Sequence, residues 1–258
     1  MLVESQDLVG KSNNMKKFFF LLAVCVIYCL NLTAQVESKK DWDILIQAEG
    51  LDGWHYYQNK KNKKNGWSNS NGVLTFDSSF KKGRTDHSLV TDKQFSSFKI
   101  YFEWKVSPGS NSGFMWGVRE DNKYKHPYST GPEIQILDRD FTYEDGSLPN
   151  PKHTAGALYD LVAPEKNVTK KAGEWNSFLI TIDHVKNYGE VIHNGTRVST
   201  FQLSGENWEK MVKNSKFSNY SDKSFKHGDF GKFKNGHLVI QDHPGIISYR
   251  NMKILEIN

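Results

Sequence analysis

The sequence predicts an all-β fold, built as a sandwich of two antiparallel sheets with one short helix. Three observations lead to this prediction. Apolar and polar residues alternate with a period of two in several runs, turn signals separate these runs, and no strand–helix–strand alternation occurs. Phe98–Val106 gives the clearest alternation, since every second residue in it is large and apolar. The pattern is typical of a jelly roll formed by one domain.

Two Asn-Gly pairs predict tight hairpin turns between neighbouring strands. Asn71-Gly72 precedes the apolar run Val73–Phe76, and Asn194-Gly195 interrupts a second alternating stretch. Both residue types tolerate the left-handed backbone that such turns need. Residues 207–215 are predicted as the helix, because their apolar residues recur at helical spacing.

Residues 111–138 predict two strands joined by a polar connection. In the first run one face carries Ser112, Phe114, Trp116 and Val118, and the other carries Asn111, Gly113, Met115, Gly117 and Arg119. In the second run Ile134 and Ile136 point one way, and Glu133 and Gln135 point the other.

We expect the large apolar residues of these two strands to lie in the core. Glu133, Gln135 and Arg119 then line an open face, where Gly113 and Gly117 leave room for a ligand to approach the backbone. The alternative interpretation is an ordinary polar outer face with a chance ion pair, because antiparallel sheets often face water on one side. Residues 153–160, in which small residues accompany a His and a Tyr, are predicted to pass close to the same cleft.

Composition favours a folded domain that does not bind nucleic acid. The chain has 258 residues, of which 37% are hydrophobic, and this is enough for one substantial core. The net charge is +5, but the lysines are scattered, and the densest run, residues 60–64, has no basic motif or aromatic platform beside it. We therefore expect a solvated loop there.

The first 34 residues are predicted to be an N-terminal extension and a signal peptide. A short positive segment at residues 15–17 precedes the apolar run Phe18–Leu30, and Ala34 offers a small residue before Gln35. Cleavage near Ala34 and Gln35 predicts a secreted or periplasmic protein. The apolar run is too short for a spanning helix, so no stable membrane insertion is expected after cleavage.

The mature chain, residues 35–258, is predicted to lack cysteine. Both cysteines of the sequence, Cys25 and Cys29, lie in the predicted signal peptide. The mature domain then has no disulfide and no thiolate, and any metal site needs His and carboxylate ligands.

Seven stretches, taken in order, resemble one family of proteins. They are Gly50–Trp54, Asn111–Phe114, Gly131–Asp138, Ala155–Leu161, Gly173–Asn176, Gly236–His243 and Tyr249–Ile254. The chain resembles the 3-keto-disaccharide hydrolase and 3-keto-glucoside lyase/hydratase family, formerly domain of unknown function 1080, over about residues 41–257. The resemblance implies a concanavalin A-like jelly roll, a secreted or periplasmic location and a small carbohydrate substrate oxidised at C3.

A sugar with a ketone at C3 has an acidified proton on C2, and this chemistry defines the residues to look for. A base removes the C2 proton, the resulting enediolate expels the C1 substituent, and water adds back, which gives net hydrolysis. The candidate catalytic residues are Glu133 or His153 as the base and His243, Asp138 or a tyrosine as the acid. The candidate substrate-binding residues are Arg119, Gln135, Gln241, Arg250 and Tyr124, and either arginine could stabilise the oxyanion. A divalent metal ion is an alternative stabiliser, with Glu133 and His153 as candidate ligands.

Several of these residues also have an ordinary structural interpretation. Asp138 is suited to cap a turn, His153 and His243 are suited to be surface loop residues, and Arg250 could pair with a carboxylate across the sandwich.

Two other functions fit an all-β fold of this kind. A non-catalytic, lectin-like carbohydrate-binding module would need no cluster of titratable groups. A retaining glucanase would need two carboxylates about 5 Å apart, and Gln135 stands where the second carboxylate is expected.

Overall fold

The computed structural model describes residues 41–58, 66–80, 87–218 and 229–257. The predicted signal peptide with its cleavage position, both cysteines and the lysine run at residues 60–64 lie outside the described residues. Within the described part, no helix is both long enough and apolar enough to cross a membrane.

The described residues form thirteen β-strands and one α-helix. The strands are β1 (Asp43–Ile44), β2 (Trp54–Tyr56), β3 (Trp67–Ser70), β4 (Val73–Asp77), β5 (Leu89–Phe95), β6 (Phe98–Val106), β7 (Asn111–Val118), β8 (Glu133–Leu137), β9 (Asn176–Asp183), β10 (Tyr188–His193), β11 (Thr196–Phe201), β12 (Gly236–Ile240) and β13 (Ile246–Glu256). The helix is α1 (Glu206–Lys213), which confirms the helix predicted for residues 207–215.

These strands form two antiparallel sheets, as the sequence predicts. The larger sheet has the order β11-β10-β9-β6-β13-β4-β3, with β1 paired to β13. The smaller sheet has the order β2-β5-β12-β7-β8. The main core lies between the two sheets and is rich in aromatic residues, including Trp104, Phe102 and Phe114.

Strand β6 lies at the centre of the larger sheet because its alternation leaves one face fully apolar. Phe98, Ile100, Phe102 and Trp104 are 0% exposed, whereas the residues between them are partly or fully exposed. Burial of four such side chains contributes roughly 1.5–3 kcal/mol each. The strand pairs with β13 on one side and β9 on the other.

Both predicted Asn-Gly hairpins are confirmed. Asn71 and Gly72 have φ values of 51° and 72° between β3 and β4, and Asn194 and Gly195 have 49° and 77° between β10 and β11. Two consecutive left-handed residues give the turn whose twist matches that of paired strands.

The prediction for β7 is correct up to Gly117 and wrong beyond it. Phe114 and Trp116 enter the main core as expected, but Val118 packs on the outer side with Met115. Gly117 has φ +64°, and the pairing of β12 with β7 shifts register between His237 and Val239. A left-handed residue at such a bulge breaks the period of two, so the residues after it change faces.

Candidate functional site

The outer side of β8 carries two rows of side chains. Met115 on β7 pairs with Glu133 on β8, and Gly113 pairs with Gln135. On the other side of β8 the segment 155–159 runs antiparallel, since the Gln135 amide donates to the Ala157 carbonyl at 3.0 Å. Opposite residues in antiparallel strands share a face.

The first row therefore continues from Met115 through Glu133 to Tyr159, whose amide donates to the Glu133 carbonyl at 2.9 Å. The second row runs through Gly113, Gln135 and Ala157. Gln241 joins the second row at the β7 side, because its amide donates to the Gly113 carbonyl at 2.9 Å.

Glu133 carries a buried carboxyl group. Its residue is 6% exposed, and its Oε1 atom has no hydrogen-bond partner among the described residues. Burial raises the pKa of Glu133 to about 8, although the Lys216 ammonium acts to lower it. A carboxyl group with a pKa near neutrality is suited to take up and release protons at physiological pH.

Gly113 makes room for the Glu133 carboxylate. A Cβ atom at Gly113 would lie 1.7 Å from Glu133 Oε1 and 2.5 Å from its Cδ. The expectation that this glycine leaves space for a ligand on an open face is therefore wrong: the space holds a side chain of the protein, and Glu133 and Gln135 are both buried.

Tyr159 links Glu133 to a histidine and a lysine. Its ring stacks on His153 with centroids 4.5 Å apart, and Lys216 Nζ lies 4.0 Å from the ring centroid. Burial, and then the charge of Glu133, raise the pKa of Tyr159 to about 12. The phenol therefore keeps its proton at neutral pH and is available as a donor.

Asp160 holds His153 and Lys216 beside Tyr159. Its Oδ1 atom lies 2.7 Å from His153 Nε2, and its Oδ2 atom accepts a hydrogen bond of 2.7 Å from the Lys216 backbone amide. We call Glu133, His153, Tyr159, Asp160 and Lys216 the Glu133 cluster. It combines a buried carboxyl, a carboxylate-bound imidazole, a phenol and an ammonium group.

Three members of this cluster were not candidates from the sequence. Tyr159 and Asp160 lie in the stretch 153–160 that was predicted to pass near the cleft, so a local signal existed for their position. Lys216 follows α1 in a polar stretch, and nothing in its neighbourhood in the sequence indicates a site.

Asp138 has the structural role that was its second interpretation. Its Oδ2 atom accepts from the Gly109 amide at 2.8 Å, and its Oδ1 atom accepts from the Asp140 amide at 3.3 Å. Both oxygens thus stabilise loops at the end of β8, and the structure does not join Asp138 to the Glu133 cluster.

Arg250 also lies apart from this cluster. It is on β13 of the larger sheet, where its Nε donates to Glu103 Oε2 at 2.7 Å, and its guanidinium covers the Trp175 ring at 4.1 Å. Glu103 is its cross-strand neighbour on β6. The carboxylate pairing predicted as the alternative is present, but within one sheet.

Arg119 and Tyr124 line a different cavity, together with Gln94, Glu120 and Phe233. The change of face after Gly117 removes Arg119 from the predicted row with Glu133 and Gln135. Tyr124 donates its hydroxyl to Asp229 Oδ2 at 2.6 Å. These two residues are therefore not part of the Glu133 cluster.

His243 follows β12 in a loop that starts beside the second row. Gln241 is placed there by its backbone bond to Gly113, and its carbonyl accepts from Ser112 Oγ at 2.7 Å. His243 is half-buried two residues later. The structure thus brings this loop close to Gly113.

Among the described residues, no three His, Cys, Asp or Glu side chains come together in a way that could hold a metal ion. Of the two predicted ligands, His153 already binds Asp160 through Nε2. No step of the chemistry is therefore assigned to a metal.

Comparison with known proteins identifies the family. Residues 41–255 match the 3-keto-alpha-glucoside-1,2-lyase-like domain, which is most of the chain. The chain belongs to this family. The assignment confirms the resemblance seen in the sequence.

A named relative and two solved structures agree with this assignment. A 3-keto-disaccharide hydrolase of Bacteroides thetaiotaomicron is 28% identical over 229 residues, which cover 81% of this chain and 76% of that protein. A crystal structure from Parabacteroides distasonis, provisionally named a glycosyl hydrolase, is 28% identical with a TM-score of 0.75, and the match covers 87% of this chain and 97% of that one. A second structure of that organism with the same description has a TM-score of 0.60 at 24% identity, covers 84% of this chain and all of its own, and supports the fold.

Proposed function

We propose that this family member is an enzyme that hydrolyses 3-keto-glycosides, with Glu133 as the base that removes the C2 proton. The observation that supports this most directly is the Glu133 carboxyl group itself. It is buried, its Oε1 atom has no hydrogen-bond partner among the described residues, and its pKa is about 8. Leaving such a group unpaired costs free energy of folding. A chemical role explains why the protein carries it.

The cluster also offers a cation for the oxyanion. When the C2 proton moves to Glu133, the electrons of the C–H bond form a C2–C3 double bond, and negative charge develops on the C3 oxygen. The ammonium of Lys216 acts electrostatically on Glu133. We assign it to stabilise the enediolate, as positioned charges do where charge develops.

The carboxylate-bound His153 is our candidate for the acid. Its Nε2 is held by Asp160, an arrangement that orients an imidazole for proton transfer. The negative charge on the C3 oxygen then restores the C3 ketone, and the electrons of the C2–C3 double bond form a C1–C2 double bond. The bond from C1 to its oxygen substituent breaks, and the leaving oxygen takes a proton from His153. Water then adds its hydroxyl to C1 and gives its other proton to His153. Glu133, after exchange with solvent, returns a proton to C2, so that both groups are restored and the sum is hydrolysis.

The same observations disfavour the two other functions. A retaining glucanase needs a second carboxylate across the bond, but Gln135 shares the face of Glu133, and the charge that acts on Glu133 is the ammonium of Lys216. A lectin-like module would gain nothing from an unpaired buried carboxyl group.

The test of this proposal is a kinetic comparison on a 3-keto-glucoside. Glu133→Gln keeps the shape of the side chain but cannot accept a proton, so we expect kcat to fall by roughly a hundredfold or more. Glu165→Gln, an exposed site elsewhere, is the matched control and should retain normal kcat. Near-normal kcat of a folded Glu133→Gln enzyme would make His153 the base instead.

Gln135 is proposed to bind a hydroxyl group of the sugar, since an amide does not titrate. Gln135→Ala should therefore raise KM and leave kcat little changed. A parallel fall in kcat would instead mean that Gln135 makes an interaction that is stronger in the transition state than with bound substrate.

A divalent cation and a secreted or periplasmic location remain separate proposals. Loss of activity on chelation, with recovery after metal is restored, would support the cation. Sequencing the N-terminus of exported protein would test cleavage near Ala34 and Gln35.

A further inference from the structure

A second polar cavity lies at the other end of the connection between β7 and β8. Its volume is about 850 Å³, which is within the range of small-molecule sites. Its walls include Gln94, Arg119, Asn122, Phe233 and His237. None of its lining residues belongs to the Glu133 cluster.

A chain of hydrogen bonds fixes the position of Arg119 in this cavity. The Thr91 carbonyl accepts from His237 Nδ1 at 2.6 Å, which leaves His237 Nε2 to accept from Gln94 Nε2 at 3.0 Å. Gln94 Oε1 in turn accepts from Arg119 Nη1 at 3.3 Å. The guanidinium is therefore oriented before any ligand binds.

Arg119 retains hydrogen-bonding capacity after these contacts. Its guanidinium covers the Phe233 ring at 5.0 Å, and its Nε has no hydrogen-bond partner among the described residues. A planar cation that is stacked on a ring and incompletely paired is a suitable donor group for a ligand oxygen.

The cavity lining also includes a carboxylate that is already paired. Glu120 Oε2 lies 2.7 Å from His55 Nε2, and Glu120 Oε1 accepts from the Gln58 amide at 2.6 Å. The hydrogen bond to Glu120, opposed by burial and helped by that to Asp92, raises the pKa of His55.

The remaining charges of the cavity also balance. The lining contains two cations, Arg119 and Lys123, and two carboxylates, Asp121 and the paired Glu120, and Lys123 Nζ lies 3.4 Å from Asp229 Oδ2. The lining also includes the amides Gln58, Gln94 and Asn122 and the ring of Phe233. Amides beside an aromatic ring suit a ligand with many hydroxyl groups and no net charge.

We propose that this cavity is a second saccharide-binding site, which binds a neutral sugar through Arg119 and the neighbouring amides. The proposal concerns binding alone and does not depend on the chemistry assigned to Glu133.

The test uses the side-chain Nε–H signal of Arg119 in nitrogen–proton correlation spectra. The chain has five arginines, so Arg119→Gln assigns the signal by its disappearance. Methyl α-glucopyranoside and maltose are the probes, and inorganic phosphate is the anionic comparison. We expect maltose to shift the Arg119 signal in a saturable way and phosphate to leave it in place.

Calorimetry with three variants tests which residues bind maltose, and the NMR signal of a fourth variant separates this site from the Glu133 cluster. Arg119→Gln and Gln94→Ala should weaken maltose binding at least tenfold, whereas Arg197→Gln, an exposed control, should not. Glu133→Gln should leave the Arg119 shift intact. The proposal is overturned if the signal responds to phosphate and not to sugar, if no probe moves it, or if Glu133→Gln abolishes the shift.

Discussion

Two glutamates, the half-buried Glu120 and the buried Glu133, lie at the two ends of the connection between β7 and β8, and their pKa values shift in opposite directions. The side chain of Glu120 is 11% exposed, and Glu133 as a residue is 6% exposed. Burial pushes the pKa of Glu120 upward, but hydrogen bonds from His55 and the Gln58 amide outweigh it and leave that pKa below its ordinary value. Burial acts without such bonds at Glu133 and raises its pKa to about 8.

The difference shows that hydrogen-bond partners, more than the depth of burial, decide whether a carboxyl group in the protein is ionised. Glu120 is a paired anion that stabilises the fold. Glu133 exchanges its proton near neutral pH, which is the property a catalytic base requires.

The largest expected contrast between the two is in stability against pH. The pKa of Glu133 is raised in the folded state. The contribution of this group to the free energy of unfolding is therefore complete below pH 4.5, its ordinary pKa, and is lost as pH rises through about 8. The loss is on the order of 5 kcal/mol. Glu133→Gln should therefore be more stable than the wild type at pH 9, and nearly equal to it at pH 4.5, in denaturant unfolding.

Glu120→Gln should behave in the opposite way. Because the pKa of Glu120 is lowered in the folded state, its contribution to the free energy of unfolding is present above pH 4.5, its ordinary pKa. That contribution is lost as pH falls through the pKa of the folded state. The variant should lose about 2 kcal/mol at pH 7, because a bond to a charged partner is weakened. Equal pH profiles for the two variants would contradict the comparison.

A smaller effect is expected when Glu133 is displaced without being replaced. The added Cβ of Gly113→Ala collides with the Glu133 carboxylate. We expect kcat to fall roughly tenfold with little change in KM, as for a base moved from its position. In the Gly113→Ala background, Glu133→Gln should cost much less than it does alone. A raised KM with normal kcat would mean that the glycine contacts substrate.

The smallest expected effect is a shift of the pH profile. The Lys216 ammonium lowers the pKa of Glu133, so Lys216→Met should raise it. If Glu133 must lose its proton to act, the rising limb of kcat/KM near pH 8 should move to higher pH. Lys213→Met, an exposed lysine on α1, is the control and should leave the limb in place. An unmoved limb in Lys216→Met would separate Lys216 from Glu133.

The parts of the fold that the sequence predicts correctly are strands with one buried face and one face exposed to solvent, and tight turns. β6 follows the period of two, and the residue types of both Asn-Gly turns favour the left-handed conformation that they adopt. β2 and β5 were missed. β2 is buried on both faces, and β5 begins with three buried residues, so neither gives a clean alternation.

The site is predictable to the same extent. Glu133 and Gln135 share a face because of their spacing, which the structure confirms. Arg119 was misplaced because one left-handed glycine reversed the faces after it. The Lys216 backbone amide donates to Asp160, which lies far away in the sequence, and no local sequence pattern indicates that contact.

The proton on C2 tests the central claim most directly. The protein should convert a 3-keto-glucoside in D₂O, with the product reduced at once by borohydride and examined by NMR and mass spectrometry. Removal and return of the C2 proton predict a product that carries one deuterium at C2, at times too short for exchange in buffer alone. A product that retains its original proton at C2 would contradict proton abstraction by Glu133.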